Sequence, residues 1–416
     1  MIERRAVVVV PEIPSPPRCG NAWRDLQQVH VLRELGFAVH VVAARPRWDL
    51  TDDEEAQGRR TLATGVSYLT HARAEPTEAM ISTLRRKARY LVAPTVHPFG
   101  WWLPRGLVPA VGGLATGVAG VVLIRSIFVH EIPSLRGVWP GRIVVDCHDS
   151  DVHLAGELLK TVRSAARLGP WANLVGVRRT VRRYLPLADE VWAVSAQDGE
   201  RLAGEAPGAR VIVVPSGMDR DGAALVARPG IDGTAVLVAN FGYGPNARGA
   251  EWMLRSVWPA VRARVPTATL RCVGARMPPA LVELAGATPG VEVCGQLGDI
   301  TRVLHDAAVV VAPILEGSGT RVKIVEAWSQ GKAVVTTPKG IEGLPAPPDA
   351  VAIAGDPVAF AAVVTALLLD GDRRRAMGSR ALEVFGERLS WDVVARIVVA
   401  GSVIGDAGPA RTPVAP

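Results

Sequence analysis

Cysteine is scarce in this chain of 416 residues: Cys19, Cys147, Cys272 and Cys294 show no CxxC spacing. That excludes a disulfide scaffold and a structural zinc site, and it fits a reducing compartment. Aromatic residues make up only 5%, and no nucleic-acid module is recognisable, so nucleic acid is not an expected partner. Lysine is rarer still, five of the 47 cationic residues. Such an arginine excess reflects genomic base composition, so the net charge of +7 is partly discounted as a sign of an anionic partner. No HExxH, GxSxG or GxxxxGK[ST] string occurs, and the opening loop lacks GxGxxG. Zinc peptidase, serine hydrolase, P-loop NTPase and nicotinamide dehydrogenase chemistry therefore lack support.

Long apolar runs are also few. Ala6 to Val10 is too short for a secretory core and no small-residue cleavage site follows, so a cytoplasmic location is expected. Leu107 to Ile124 carries no charge over 18 residues, but it contains Pro109 and four glycines. A buried helix running into a buried strand accounts for it better than a membrane span. The basic cluster Arg85, Arg86, Lys87 and Arg89, with Trp101 and Trp102 nearby, reads as a solvated helix face with core tryptophans or as a peripheral contact with an anionic membrane.

What is present is an ordinary globular composition, 49% hydrophobic and 21% charged, in a length that suits two or three domains. Ala6 to Val10, a Pro/Gly loop, a helical stretch Ala22 to Leu35 and Ala38 to Ala43 form a βαβ unit. Val121 to Ile124, Ile143 to Asp146, Glu190 to Val194 and Val211 to Val214 extend it. Gly230 to Thr234 reads as a boundary, after which strands restart at Ala235 to Ala239, Thr269 to Val273, Val291 to Cys294, Val309 to Ala312, Ala333 to Thr336 and Val351 to Ile353. The expected organisation is a first Rossmann-like domain over 1–230 and a second over 231–390. A helix at 391–400 packs back on the first, and a Pro/Ala/Gly tail over 401–416 is expected to be disordered.

The most informative stretch is Pro313 to Gly331, PILEGSGTRVKIVEAWSQG. A strand ends, a loop bracketed by Gly317 and Gly319 follows, and a helix is expected to start near Thr320. Backbone amides and the helix N-terminus there would suit an anion. Arg321 and Lys323 fall in the first turn, where the macrodipole disfavours cations, so their placement makes sense if an anion sits in front of them. The plain alternative is an ordinary helix start with a Lys323 to Glu326 surface pair. Asp149-Ser150-Asp151 fits a DxD pattern, but a turn or helix cap after a strand explains it.

Several strings in order, FGYGPN at Phe241 to Asn246, VWP at Val257 to Pro259, VGA at Val273 to Ala275, VCGQLGD at Val293 to Asp299, GSGTRVKIVEAW and KGIEGL at Lys339 to Leu344, resemble the donor half of retaining GT-B glycosyltransferases of the group 1, family 4-like kind. The first half resembles the same family in its opening glycine loop, in DCHD, in ADEVWAVS and in VIVVPSGMD. The fold this implies is α/β, GT-B, with two Rossmann-like domains facing each other across a cleft. The activity it implies is transfer of a sugar from a nucleoside diphosphate sugar to an acceptor hydroxyl, with retention, in cell-envelope or polysaccharide biosynthesis.

By the same resemblance, Glu326 holds the donor ribose, Gly319 lies against the diphosphate, Gln296 and Leu297 border the nucleobase, His148 lies near the reacting sugar and Gly20 sits in the first-domain glycine loop. Arg321 and Lys323 serve the leaving diphosphate. Ser318, Glu316, Thr320 and Asn246 complete the expected substrate-binding set. Two departures stand out: Ser318 occupies the place eight residues before Glu326 where the family carries a glutamate, with Glu316 two residues early, and Asn240 and Asn246 stand where many relatives carry an Arg and a Lys. No cofactor and no metal are expected, the nucleotide sugar being a co-substrate. The acceptor is unknown, with a lipid-linked or polysaccharide acceptor favoured. A nucleotide-sugar epimerase on the same plan, a non-catalytic anion or nucleic-acid binder and an inactive relative remain open.

Overall fold

The computed structural model describes residues 4–11, 14, 20–44, 56, 58, 60, 62, 65–69, 106–115, 120–162, 167–219, 230–297, 300–317 and 321–405. They divide into two compact units, one drawn from Met1–Ser216 and Val394–Pro416, the other from Gly217–Gly317 and Arg321–Val393.

The first unit is built on a parallel sheet of seven strands: β1 (Arg5–Val10), β2 (Ala38–Ala44), β3 (Gly65–Leu69), β4 (Gly120–Arg125), β5 (Arg142–Cys147), β6 (Glu190–Ala193) and β7 (Val211–Val213). Their order is β3-β2-β1-β4-β5-β6-β7, so the chain reverses direction of winding between β1 and β4. Successive side chains alternate between two cores: Val7 and Val9 pack with Ile124, Val145 and Val177, whereas Ala6, Val8 and Val10 pack with Leu32, Trp192 and Val398. Strands covered on both faces read as unbroken apolar runs, which is why Ala6 to Val10 shows no polar alternation. β3 lies in a stretch that carries no clear strand signal in the sequence. The uncharged run after Leu107 forms a helix (Leu107–Gly113) and strand β4; the strand is buried as expected, whereas the helix buries only Leu107 and Val111 and leaves Pro109 and Gly113 exposed, and no helix among the described residues is long and apolar enough to cross a membrane.

The C-terminal helix Trp391–Gly401 places Val394, Ala395 and Val398 in the core of the first unit. Just beyond it the fully buried carboxylate of Glu190 accepts from the Val403 amide at 2.9 Å, from Trp192 Nε1 at 2.7 Å and from the Ser402 hydroxyl. A buried carboxylate needs such donors, so Glu190 ties Ser402 and Val403 to the start of β6; this corrects the expected disorder over 401–405, where Ser402 and Ile404 are buried, while 406–416 lie outside the described residues.

The second unit holds a parallel sheet of six strands: β8 (Thr234–Val238), β9 (Thr269–Val273), β10 (Val291–Gly295), β11 (Val309–Ala312), β12 (Val334–Thr336) and β13 (Ala352–Ile353). Its order is β10-β9-β8-β11-β12-β13, again reversing beside the first strand, between β8 and β11. After β13 the chain forms two helices, Pro357–Leu369 and Gly371–Arg388, because Asp370 ends one in an extended conformation and caps the next through Arg373 N. In doubly wound sheets ligands bind beyond the carboxyl ends of strands where the winding reverses, so each unit has one such place.

Candidate functional site

In the second unit the reversal point is spanned by the loops after β8 and β11. After β8, Asn240 Oδ1 accepts from the Gly242 amide at 3.1 Å, and the helix Gly244–Trp252 follows with Pro245 in its first turn. After β11, Gly317 adopts a left-handed backbone (φ +94), and a Cβ there would stand 3.3 Å from the Tyr243 hydroxyl. Gly249 lets the helix approach the neighbouring loop, since its Cβ would fall 2.0 Å from the Pro313 carbonyl oxygen. Gly249→Ala is therefore expected to destabilise the protein by about 1–3 kcal/mol, the usual cost of overpacking. A denaturant midpoint equal to that of the natural protein would contradict this close approach.

The helix begins at Val322, not near Thr320, and Arg321 precedes it. This corrects the expectation that Arg321 lies within the first turn. Its guanidinium is 6% exposed and turns back to donate to the carbonyls of Gly317 at 3.2 Å and Lys339 at 3.0 Å, tying the loop after β11 to the turn after β12. Lys323 is half-buried, and its Nζ donates to Asn246 Oδ1 at 2.8 Å. Asn246 Nδ2 in turn donates to the Asn240 carbonyl at 2.9 Å. Lys323 thus brings a positive charge from the helix after β11 onto the elements after β8, the region where the sequence lacks the relatives' Arg and Lys. Burial, and then the charge of Arg321, push the Lys323 ammonium down to about 8.

Other expected residues are more dispersed. Glu316 pairs with exposed Arg248. Glu326 lies one turn inside the helix Val322–Ser329, half-buried. Gln296 and Leu297 are exposed just after β10, two strands away from β8. Ser318, Gly319 and Thr320 lie outside the described residues, as do Arg85, Arg86, Lys87, Arg89, Trp101 and Trp102.

The first unit concentrates charge at its own reversal point. The helix Gly20–Glu34 starts with Gly20 and Asn21 exposed, and it buries Arg24, Asp25, Gln27 and Gln28. Arg24 Nε lies 3.0 Å from both oxygens of Asp146, at the end of β5, and its Nη1 donates to the Val214 carbonyl at 2.9 Å. Gln28 Nε2 adds a 3.2 Å bond to Asp146. Arg125, ending β4, pairs with Asp25 at 3.0 Å. His148 stands among these groups: its Nε2 is 3.0 Å from Asp146 and 3.3 Å from Asp25, and its Nδ1 is 3.3 Å from Asn21 Oδ1. Burial alone would raise the Asp146 carboxyl, but the charges of Arg24 and then His148 outweigh it and hold Asp146 well below the usual carboxylate range. Asp146 is accordingly an ionised group that orients His148.

Asn21, Arg24, Asp25 and Arg125 escaped the sequence reading. For those on the helix Gly20–Glu34 the signal was a face that is apolar at Val31 and Leu32 yet polar at Arg24, Gln27 and Gln28, on the same side one and two turns earlier; Arg125 carried none beyond its place at a strand end. The Asp149-Ser150-Asp151 pattern is a helix cap, with Ser150 Oγ accepting from the His153 amide at 2.9 Å. No cluster able to hold a metal ion occurs among the described residues.

Comparison with known proteins adds three findings. Residues 232–370 match the family described as Glycosyl transferases group 1. No curated protein matches the chain in sequence. Among solved structures, HepE of Anabaena in complex with UDP and glucose matches with TM-score 0.62 at 11% identity, over 96% of this chain and 99% of its own. Sucrose-phosphate synthase from Thermosynechococcus elongatus matches with TM-score 0.64 at 16% identity, over 94% and 97%. A TarM variant of S. aureus, in complex with UDP, fondaparinux and alpha-GlcNAc-glycerol, matches with TM-score 0.65 at 7% identity, over 96% and 99%.

Proposed function

We propose that the chain, which has a GT-B fold and whose residues 232–370 match the group 1 glycosyltransferases, moves a sugar from a nucleoside diphosphate donor to an acceptor hydroxyl, with net retention. The observation that carries this reading is the half-buried Lys323 ammonium held by Asn246 at the winding reversal of the donor unit, on the turn whose Tyr243 and Pro245 stand against the left-handed Gly317. As the glycosidic bond breaks, negative charge collects on the departing diphosphate, and a preoriented cation in a partly desolvated place stabilises it most. Arg321 contributes by holding the loop that carries Gly317, and Glu326 is the proposed acceptor of hydrogen bonds from the ribose diol. In the first unit His148, steered by Asp146 and Asp25, is the proposed group at the reacting sugar, with Gly20 at the adjoining loop. UDP is named with HepE and with TarM, which supports a nucleoside diphosphate donor here.

A lipid-linked or polysaccharide acceptor at the cytoplasmic face of an anionic membrane belongs to the same proposal. The helix Leu168–Tyr184 supports it: Leu168 and Trp171 are 70% and 48% exposed, and Arg178, Arg179, Arg182 and Arg183 are exposed along the same side. The deciding experiment is a thermal-shift screen over UDP-, GDP- and ADP-sugars, followed by transfer assays and determination of the product anomer. A donor present at a hundred times its Kd is expected to stabilise the protein by about 2.7 kcal/mol. Absence of any shift, together with absence of donor hydrolysis, would remove the reading, and an inverted product would remove retention alone.

A further inference from the structure

Among the described residues, Arg276 is the one non-glycine side chain carried on a left-handed backbone (φ +57). That conformation crowds the Cβ of an L-residue, and such outliers persist where the surroundings overdetermine them and a function uses them. The surroundings here are specific. The Phe241 amide donates to the Ala275 carbonyl at 2.9 Å and the Ala239 amide to the Val273 carbonyl at 3.0 Å, so the loops after β8 and β9 are zipped together beyond the strands. This lays the Arg276 side chain across Gly242. A Cβ at Gly242 would stand 3.0 Å from Arg276 Nε and 3.1 Å from its Cβ, with Asn240 Oδ1 at 3.3 Å. Arg276 is exposed, and among the described residues it has no carboxylate partner. A guanidinium held at the carboxyl end of β9 against the glycine turn after β8, and not neutralised there, stands ready for an anion.

We propose that Arg276 is a donor-binding residue whose guanidinium hydrogen-bonds the diphosphate of the nucleotide sugar, from the side of the reversal point opposite to Lys323. The inference rests on the donor reading above and adds a contact to it.

The test compares the full natural chain with Arg276→Gly, Arg276→Ala and Arg276→Lys, titrated calorimetrically with UDP, GDP and ADP and with the three matching nucleosides. Arg276→Gly is expected to melt no more than about 2 °C below the natural protein, because lost strain offsets gained chain entropy. Its affinity for the diphosphate that binds best is expected to fall about tenfold or more, with nucleoside affinity unchanged. Arg276→Ala should lose as much affinity and melt lower than Arg276→Gly, and Arg276→Lys should lose less. Equal diphosphate affinity in Arg276→Gly and the natural chain overturns the proposal, as does an equal loss for nucleoside and diphosphate. If the natural chain binds none of the three diphosphates, it is the underlying donor reading that fails.

Discussion

Replacement of Lys323 by methionine is expected to lower turnover by about 10²–10³-fold, the cost of removing one preoriented group from a developing negative charge. Methionine keeps the length and the apolar stem, so the fold should survive, and the melting temperature serves as the control. The pH dependence gives a sharper test. Burial and the charge of Arg321 bring the Lys323 ammonium down to about 8, so near that pH half of its charge is gone in the free protein. A bound diphosphate favours the charged form, so donor affinity should be level below pH 8 and fall as pH rises through it. In Lys323→Arg the level region should extend upward, because a guanidinium does not lose its proton there. For stability the sign is reversed: the half-buried charge costs free energy in full below about pH 8, and that cost is relieved as pH rises from there toward the ordinary lysine value. A turnover profile unchanged in both variants would show that the charge of Lys323 plays no part in the reaction.

The second large effect is expected at Asp146. Its partner Arg24 is 1% exposed and contacts both carboxylate oxygens at 3.0 Å. Asp146→Asn keeps the shape but leaves a guanidinium buried without its counter-charge, which is expected to cost about 3–5 kcal/mol of stability. Removing both charges, as in Arg24→Met with Asp146→Leu, should cost distinctly less than the sum of the single changes, since no lone buried ion remains. The folded-state carboxyl is held well below its ordinary range, so this contribution is fully present above about pH 4 and is lost only as pH falls toward the lowered value. Urea unfolding of the two single variants and the double variant measures these differences. Additive single costs would contradict a coupled pair. Since Asp146 also orients His148, Asp146→Asn should lower turnover in the fraction that remains folded.

Most of the strands were legible in the sequence, because parallel strands buried on both faces leave short β-branched runs between helical stretches. Thr269 to Val273 and Val309 to Ala312 agree with the structure at both ends. β3 was not legible, for its segment Gly65–Leu69 carries one β-branched residue among polar and aromatic ones. The candidate site at the reversal beside β8 was legible in part. The string around Arg321 and Lys323 marked it, but the order of roles within the string was not: Arg321 turns back onto two carbonyls while Lys323 reaches Asn246.

By itself, then, the chain's order of residues determined where most strands and helices lie and which residue types follow them, because periodicity and glycine placement are local properties; the order of the strands, and with it the reversal points beside β1 and β8, came from the tertiary structure. Only the tertiary structure decided which charges meet. Arg24 and Asp146 are 122 residues apart, and Lys323 and Asn246 are 77 apart. Pairing at such separations depends on strand ends being brought side by side by the sheet, and on burial that makes an unmatched charge too costly to keep. The left-handed backbone of Arg276 is of the same kind, since it is held by a neighbouring loop rather than by any preference of arginine.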